Sequence, residues 1–99
     1  MKQYETMYIV KSSLDDASRV ALMENMHAII TNNGGTIDNV DEWGLKDFAY
    51  RIDDMTKGYY VVLTFTASVE ALNEFNRLMG IENNIVRMMT ISSDEKKSN

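Results

Sequence analysis

An α+β fold, with strands and helices in the order β-α-β-β-α-β, is what the periodicity of this chain predicts. Three observations carry that expectation. Apolar residues alternate with period two in four segments; two intervening segments repeat them every three to four positions; and glycine follows each helical segment. Ninety-nine residues with 44% apolar content suit one domain, read as residues 1–92, able to bury about two-thirds of its unfolded surface. The polar tail at 93–99 is expected to be disordered.

The first strand is read at 3–10, with Tyr4, Thr6, Tyr8 and Val10 on one face and Glu5, Met7 and Ile9 on the other. A helix follows, opened by Ser13 with Asp16 three residues on, a capping-box spacing that also sets carboxylates at the positive end of the helix dipole. Its apolar stripe is Leu22, Met26, Ile29 and Ile30, and Asn33-Gly34-Gly35 stops it. A second strand candidate runs over 36–52, broken by a charged stretch at 38–42 and by Gly44, which marks a bulge or bend. A turn at 53–58 leads into a third strand at 59–66, where Tyr59, Val61, Leu63 and Phe65 alternate with Tyr60, Val62, Thr64 and Thr66. The second helix is expected over 68–79, with Val69, Leu72, Phe75, Leu78 and Met79 on one side and Gly80 ending it. A last strand at 84–91 completes the set.

Two helices that each bury one stripe belong together on one face of a four-stranded antiparallel sheet, the split β-α-β or ferredoxin-like arrangement. Right-handed crossovers then give the spatial order 4-1-3-2, leaving the second and fourth strands at the edges. Both faces carry sizeable side chains, Met7 and Ile9 against Tyr8 and Val10, and Tyr60 and Val62 against Val61 and Leu63, so apolar groups on the open face read either as a partner surface or as ordinary cross-strand packing.

Chemistry is constrained more by what is missing. Without cysteine there is no disulfide, thiolate metal site or cysteine nucleophile, which fits a cytosolic chain. No apolar run reaches the length of a membrane span, and the opening residues form no signal peptide. His27 is the only histidine and falls mid-helix, while Asp15-Asp16 and Asp53-Asp54 lie at a helix start and a turn rather than across a cleft. Gly34-Gly35 follows a helix instead of preceding one, the wrong context for a phosphate cradle. The eight methionines are read as adaptable packing. Neither catalysis, nor a cofactor, nor a small-molecule substrate is expected. A net charge of −5 argues against an autonomous nucleic-acid binder, whose affinity comes from phosphate neutralisation, so any RNA contact should be local and shared with a basic partner.

The aromatic-rich stretch Trp43-Gly44 with Phe48-Ala49-Tyr50-Arg51-Ile52 and Gly58-Tyr59 adds a more specific indication. With Tyr4-Glu5, Leu14-Asp15, Gly34-Gly35, Leu72-Asn73 and Ile85-Val86-Arg87-Met88-Met89 in the same order and spacing, the chain resembles the bacterial small-subunit ribosomal protein six family over residues 2–91. The resemblance implies a structural role on the cytoplasmic ribosome. Family members bind the central domain of small-subunit ribosomal RNA as a heterodimer with the basic small-subunit ribosomal protein eighteen. Under that reading the second strand is the partner edge, with Asp41, Glu42, Trp43, Lys46, Phe48 and Tyr50 at the interface, because an edge strand offers unpaired backbone for strand addition. Lys2, Tyr4, Lys46 and Arg87, with Arg51 and Lys57 as secondary choices, are the expected RNA contacts, through phosphate pairing or base stacking.

The chain departs from the family after Trp-Gly, where a basic pair is usual and Leu45-Lys46-Asp47 stands here, and at Arg51, where proline is common. Two rivals share the fold. A small-molecule-sensing regulatory domain acting as a homo-oligomer is the stronger, since fold does not fix function. An acyl-phosphate hydrolase needs an arginine-bearing phosphate loop after the first strand, where this chain has Lys11-Ser12-Ser13.

Overall fold

Alternation and helical stripes resolve into six elements: β1 (Lys2–Lys11), α1 (Asp16–Asn32), β2 (Thr36–Ile52), β3 (Met55–Ala67), α2 (Val69–Ile81) and β4 (Ile85–Ser92). The computed structural model describes residues 1–52 and 55–92, with backbone alone for 48–52 and 55; Asp53, Asp54 and the predicted tail at 93–99 lie outside the described residues. One four-stranded sheet runs in the order β2-β3-β1-β4, every neighbouring pair antiparallel. That is the expected arrangement, with β2 and β4 at the edges. No helix among the described residues is long and apolar enough to cross a membrane.

The pleat decides what meets the helices. Tyr4, Thr6, Tyr8 and Val10 of β1, with Val61, Leu63 and Phe65 of β3, turn to one side and are buried there. Against them α1 packs Leu22, Met23, Met26 and Ile30, and α2 packs Ala71, Phe75 and Met79. Each fully buried large apolar side chain contributes roughly 1.5–3 kcal/mol. Phe65 is the hub, its ring centre 5.8 Å from that of Tyr4 and 5.3 Å from that of Phe75. Thr6 is the polar residue inside this layer, and it is satisfied: its Oγ1 lies 2.7 Å from Thr90 Oγ1, which in turn donates to Asn76 Oδ1 at 3.3 Å. That chain ties β1 through β4 to α2 without leaving a buried hydroxyl unmet.

The local expectations fail in four instructive places. The N-cap of α1 is Asp15, whose Oδ1 accepts the Ser18 amide at 2.8 Å, instead of Ser13. A turn closed by the Leu14 amide on Lys11 O at 3.4 Å uses up Ser12 and Ser13, so the helix starts two residues later. Met23 joins the buried stripe of α1, and Ile29 is only partly buried. Residues 55–58 are strand rather than turn, with Gly58 opposite Lys46, Lys57 opposite Asp47 and Met55 opposite Ile52. Gly80 does not end α2, which continues to Ile81 and stops at the extended backbone of Glu82; only Gly34 and Gly44 take positive φ among the described glycines.

Gly34, at φ 85°, supplies the left-handed residue after α1. Gly35 has a different reason to be glycine: a Cβ there would meet Ile30 Cγ2 at 2.7 Å and the Thr66 carbonyl oxygen at 2.8 Å. Gly35→Ala is therefore expected to destabilise the protein by about 1–3 kcal/mol through overpacking. Gly80→Ala, with nothing within 4 Å of its added Cβ and helical neighbours, should stabilise it by up to about 1 kcal/mol. Urea midpoints of the two variants check both signs.

Candidate partner and nucleic-acid interface

Between Thr36 and Asp47 the β2 edge is shaped by two insertions in its ladder with β3, and a third irregularity falls between Asp47 and Ile52. The register shifts between Ile37 and Asn39 and again between Glu42 and Gly44, so Asp38 and Trp43 are the extra residues of two bulges. Gly44 at φ 84° permits the second, since a residue with a side chain resists that conformation. Asp38 turns over the uncovered face, where its Oδ2 accepts from Thr66 Oγ1 at 2.7 Å and from Gln3 Nε2 at 3.2 Å. Trp43 lies on the same face, its ring parallel to Tyr60 within 7° at 6.4 Å. Its indole N–H donates to Asp41 Oδ2 at 3.0 Å, and the side chain remains 47% exposed. A large ring held rigid at an exposed edge is the kind of residue that anchors protein interfaces.

Glu42 goes the other way, toward the helices. Its Oε1 accepts the Tyr59 hydroxyl at 2.7 Å, while the Tyr59 ring carries the Arg19 guanidinium 4.0 Å from its centre. Arg19 also pairs with Asp16 at 2.9 Å. The hydrogen bond to Glu42, reinforced by burial and by the Glu42 charge, raises the Tyr59 pKa, and Arg19 opposes that rise. Deeper in the same region Tyr8 Oη and His27 Nε2 lie 2.8 Å apart. Burial, then the nearby Glu42 charge, pushes the Tyr8 phenol well above its ordinary value. Burial lowers the His27 imidazole, with Glu42 and Glu24 pulling the other way.

The structure sorts the expected contact residues into distinct places. Lys46 is exposed opposite Gly58, which is itself opposite Lys11 on β1, and Arg87 is exposed opposite Ile9. These registers put Lys46, Lys11 and Arg87 at one end of the sheet on its uncovered face, while exposed Lys57, one residue from Gly58 on β3, falls on the opposite face by the alternation of the strand. Lys11 was not among the residues expected from sequence, because its place beside Gly58 and Lys46 comes from register, which no local pattern encodes. Lys2 is exposed at the opposite end, beside Ala67, roughly 30 Å along the strand at about 3.4 Å per residue. Tyr4 is 7% exposed and packs on Phe65, so the base-stacking role expected for it has no free ring face. Of the partner residues, Asp41, Trp43 and Lys46 share the uncovered side of β2, and Glu42 does not. The side chains of Phe48, Tyr50 and Arg51 lie outside the described residues. Among the described residues no group of three histidine, aspartate or glutamate side chains is placed to hold a metal ion.

Comparison with known proteins converges on one family. The family model described as Ribosomal protein S6 matches residues 3–92. The chain is 45% identical over 96 residues to the small ribosomal subunit protein bS6 of Exiguobacterium sibiricum, covering 97% of this chain and 100% of that one. It is also similar to the crystal structure of 30S ribosomal protein S6 from Thermotoga maritima, with a TM-score of 0.88 at 30% identity, covering 97% of this chain and 92% of that one.

The burial of His27 makes stability depend on pH. His27 is lowered in the folded protein, so the unfolded chain, titrating near about 6.5, binds the proton more readily. Stability is then complete above about pH 6.5 and falls as pH drops from there toward the folded value. His27→Gln is expected to flatten that dependence. Urea unfolding at stepped pH between about 7.5 and 5 measures it; parallel curves for parent and variant would exclude His27 as the source.

Proposed function

Because the chain belongs to the ribosomal protein S6 family, a non-enzymatic component of the small ribosomal subunit, we propose that it binds the central domain of small-subunit ribosomal RNA jointly with small-subunit ribosomal protein eighteen. The observation that carries this reading is the separation of two unlike surfaces on one sheet. At one end of the uncovered face, Lys11, Lys46 and Arg87 gather, a local cationic corner on a chain of net charge −5, with Lys57 at the same end on the other face. Along the β2 edge, by contrast, acidic Asp41 and the fixed ring of Trp43 face outward.

The two surfaces suit two kinds of ligand. A cluster of a few cations can neutralise a few phosphates, positioning RNA without reading its bases. The edge strand offers backbone for an extended segment, and its acidic flank favours a basic one. Lys46 stands where the surfaces meet and can serve either. Affinity for RNA without the partner should be low, since the overall charge opposes it. Lys2 is left as a separate contact at the far end of the sheet. Membership of this family leaves the metabolite-sensor alternative without support.

Immobilised chain is expected to retain protein eighteen by itself, and a central-domain RNA fragment only when that partner is present. Equal RNA retention with and without the partner would contradict joint binding. Arg87→Glu should weaken RNA retention by the pair and reduce its salt dependence while leaving partner binding intact. Trp43→Ala should do the converse, lowering partner affinity about tenfold, or about 1.4 kcal/mol. Fluorescence titration of each component separates the two effects.

A further inference from the structure

Behind the β2 edge, on the helix side, α1 and β2 leave a groove of about 290 Å³ lined by Val20, Met23, Glu24, His27, Val40 and Glu42. Its apolar walls stand open: Val20 on α1 is 49% exposed and Val40 on β2 is 38% exposed, with Met23 buried beneath them. A carboxylate stands on either wall, Glu24 from α1 and Glu42 from β2, and Glu42 is held in place by the Tyr59 hydroxyl at 2.7 Å. Burial keeps His27 below its ordinary pKa, so near neutral pH the imidazole does not offset the two acids. Arg19, one turn earlier on α1, is already committed to Asp16 and the Tyr59 ring.

We infer that this groove receives one lysine or arginine side chain from an extended basic segment of a neighbouring protein, its aliphatic stem between Val20 and Val40 and its cation between Glu24 and Glu42. The match is one of chemistry. Lysine and arginine are the side chains that bury a hydrocarbon stem while presenting a charge at its tip, and the groove offers apolar walls below an acidic rim. Phosphate is excluded, because the same two carboxylates would repel it. A second copy of this chain is disfavoured by its net charge of −5. The groove adjoins the β2 edge, so a segment added along that strand passes beside it with side chains on alternate faces. The inference rests on the reading that the protein has a basic protein neighbour in the small subunit.

A photo-cross-linking residue placed at Val20, and in a separate variant at Trp43, tests it in purified small ribosomal subunits, with cross-linked peptides identified by mass spectrometry. Val20 is expected to capture a protein segment containing lysine or arginine at or next to the attachment point. Glu24→Lys, on an exposed helix position, should cut that yield at least fivefold while leaving the Trp43 cross-link unchanged. Capture of ribosomal RNA, of a second copy, or of a segment without a cation would overturn the inference, as would a yield indifferent to Glu24→Lys. No product from Val20 in particles where Trp43 does cross-link to a basic protein rejects the groove and leaves the joint-binding reading standing. Silence at both positions in particles that contain the protein rejects both.

Discussion

Helices cover only one side of the sheet, and the remaining properties of this protein follow from that asymmetry. The helical layer is anchored by a compact set of large side chains, Phe65 between Tyr4 and Phe75, Tyr8 hydrogen-bonded to His27 of α1, and buried Met79 and Ile30. Burial of that kind is non-directional and drives collapse. It does not say what the opposite face should carry. There the alternation of β1 and β3 leaves Met7, Tyr60 and Val62 partly exposed, and register brings cations to one end. The same pleat that builds the core thus also builds the surface through which the protein is proposed to work.

The polar groups inside the helical layer are arranged economically. Thr6 reaches Thr90 and, through it, Asn76, and Tyr8 reaches His27. Both chains link the sheet to a helix, Thr90 to α2 and Tyr8 to α1, where packing is otherwise apolar, and hydrogen bonds of fixed direction discriminate between packings that apolar contact tolerates equally. The Tyr8–His27 pair has a further effect, because both groups feel Glu42. Glu42 belongs to the edge strand. Its position, fixed by Tyr59, is therefore sensed electrostatically in the interior, and a change at the edge would alter the titration of a side chain on α1.

The order of elements, the sheet topology and both edges were legible in the sequence, because periods of two and of about 3.6 are imposed by geometry that tertiary structure seldom overrides. Gly44 was readable as a bulge for the same reason. Boundaries were harder. Ser13 and Asp15 are both competent caps, and the choice depends on the preceding turn from Lys11 to Leu14, which no cap pattern contains. Gly80 has a stop signal's identity but a helical environment. At the candidate site, Trp43 and Arg87, both exposed, were chosen from residue type and strand position. Lys11 was not, because its place beside Gly58 and Lys46 depends on cross-strand register. Tyr4 looked like a stacking residue only while its face was judged apart from Phe65. The direction taken by Glu42 was hidden by a bulge one residue away.

That pair of bulges in β2 has a consequence for self-association. A flat, regular edge invites an identical edge to dock against it, whereas extra residues at Asp38 and Trp43 twist the strand and interrupt its spacing. Two copies laid side by side would have to match both kinks at once, so their ladders would fall out of step. A foreign segment with its own irregularities faces no such demand for symmetry. The kinked border therefore disfavours pairing of one copy's β2 with another's.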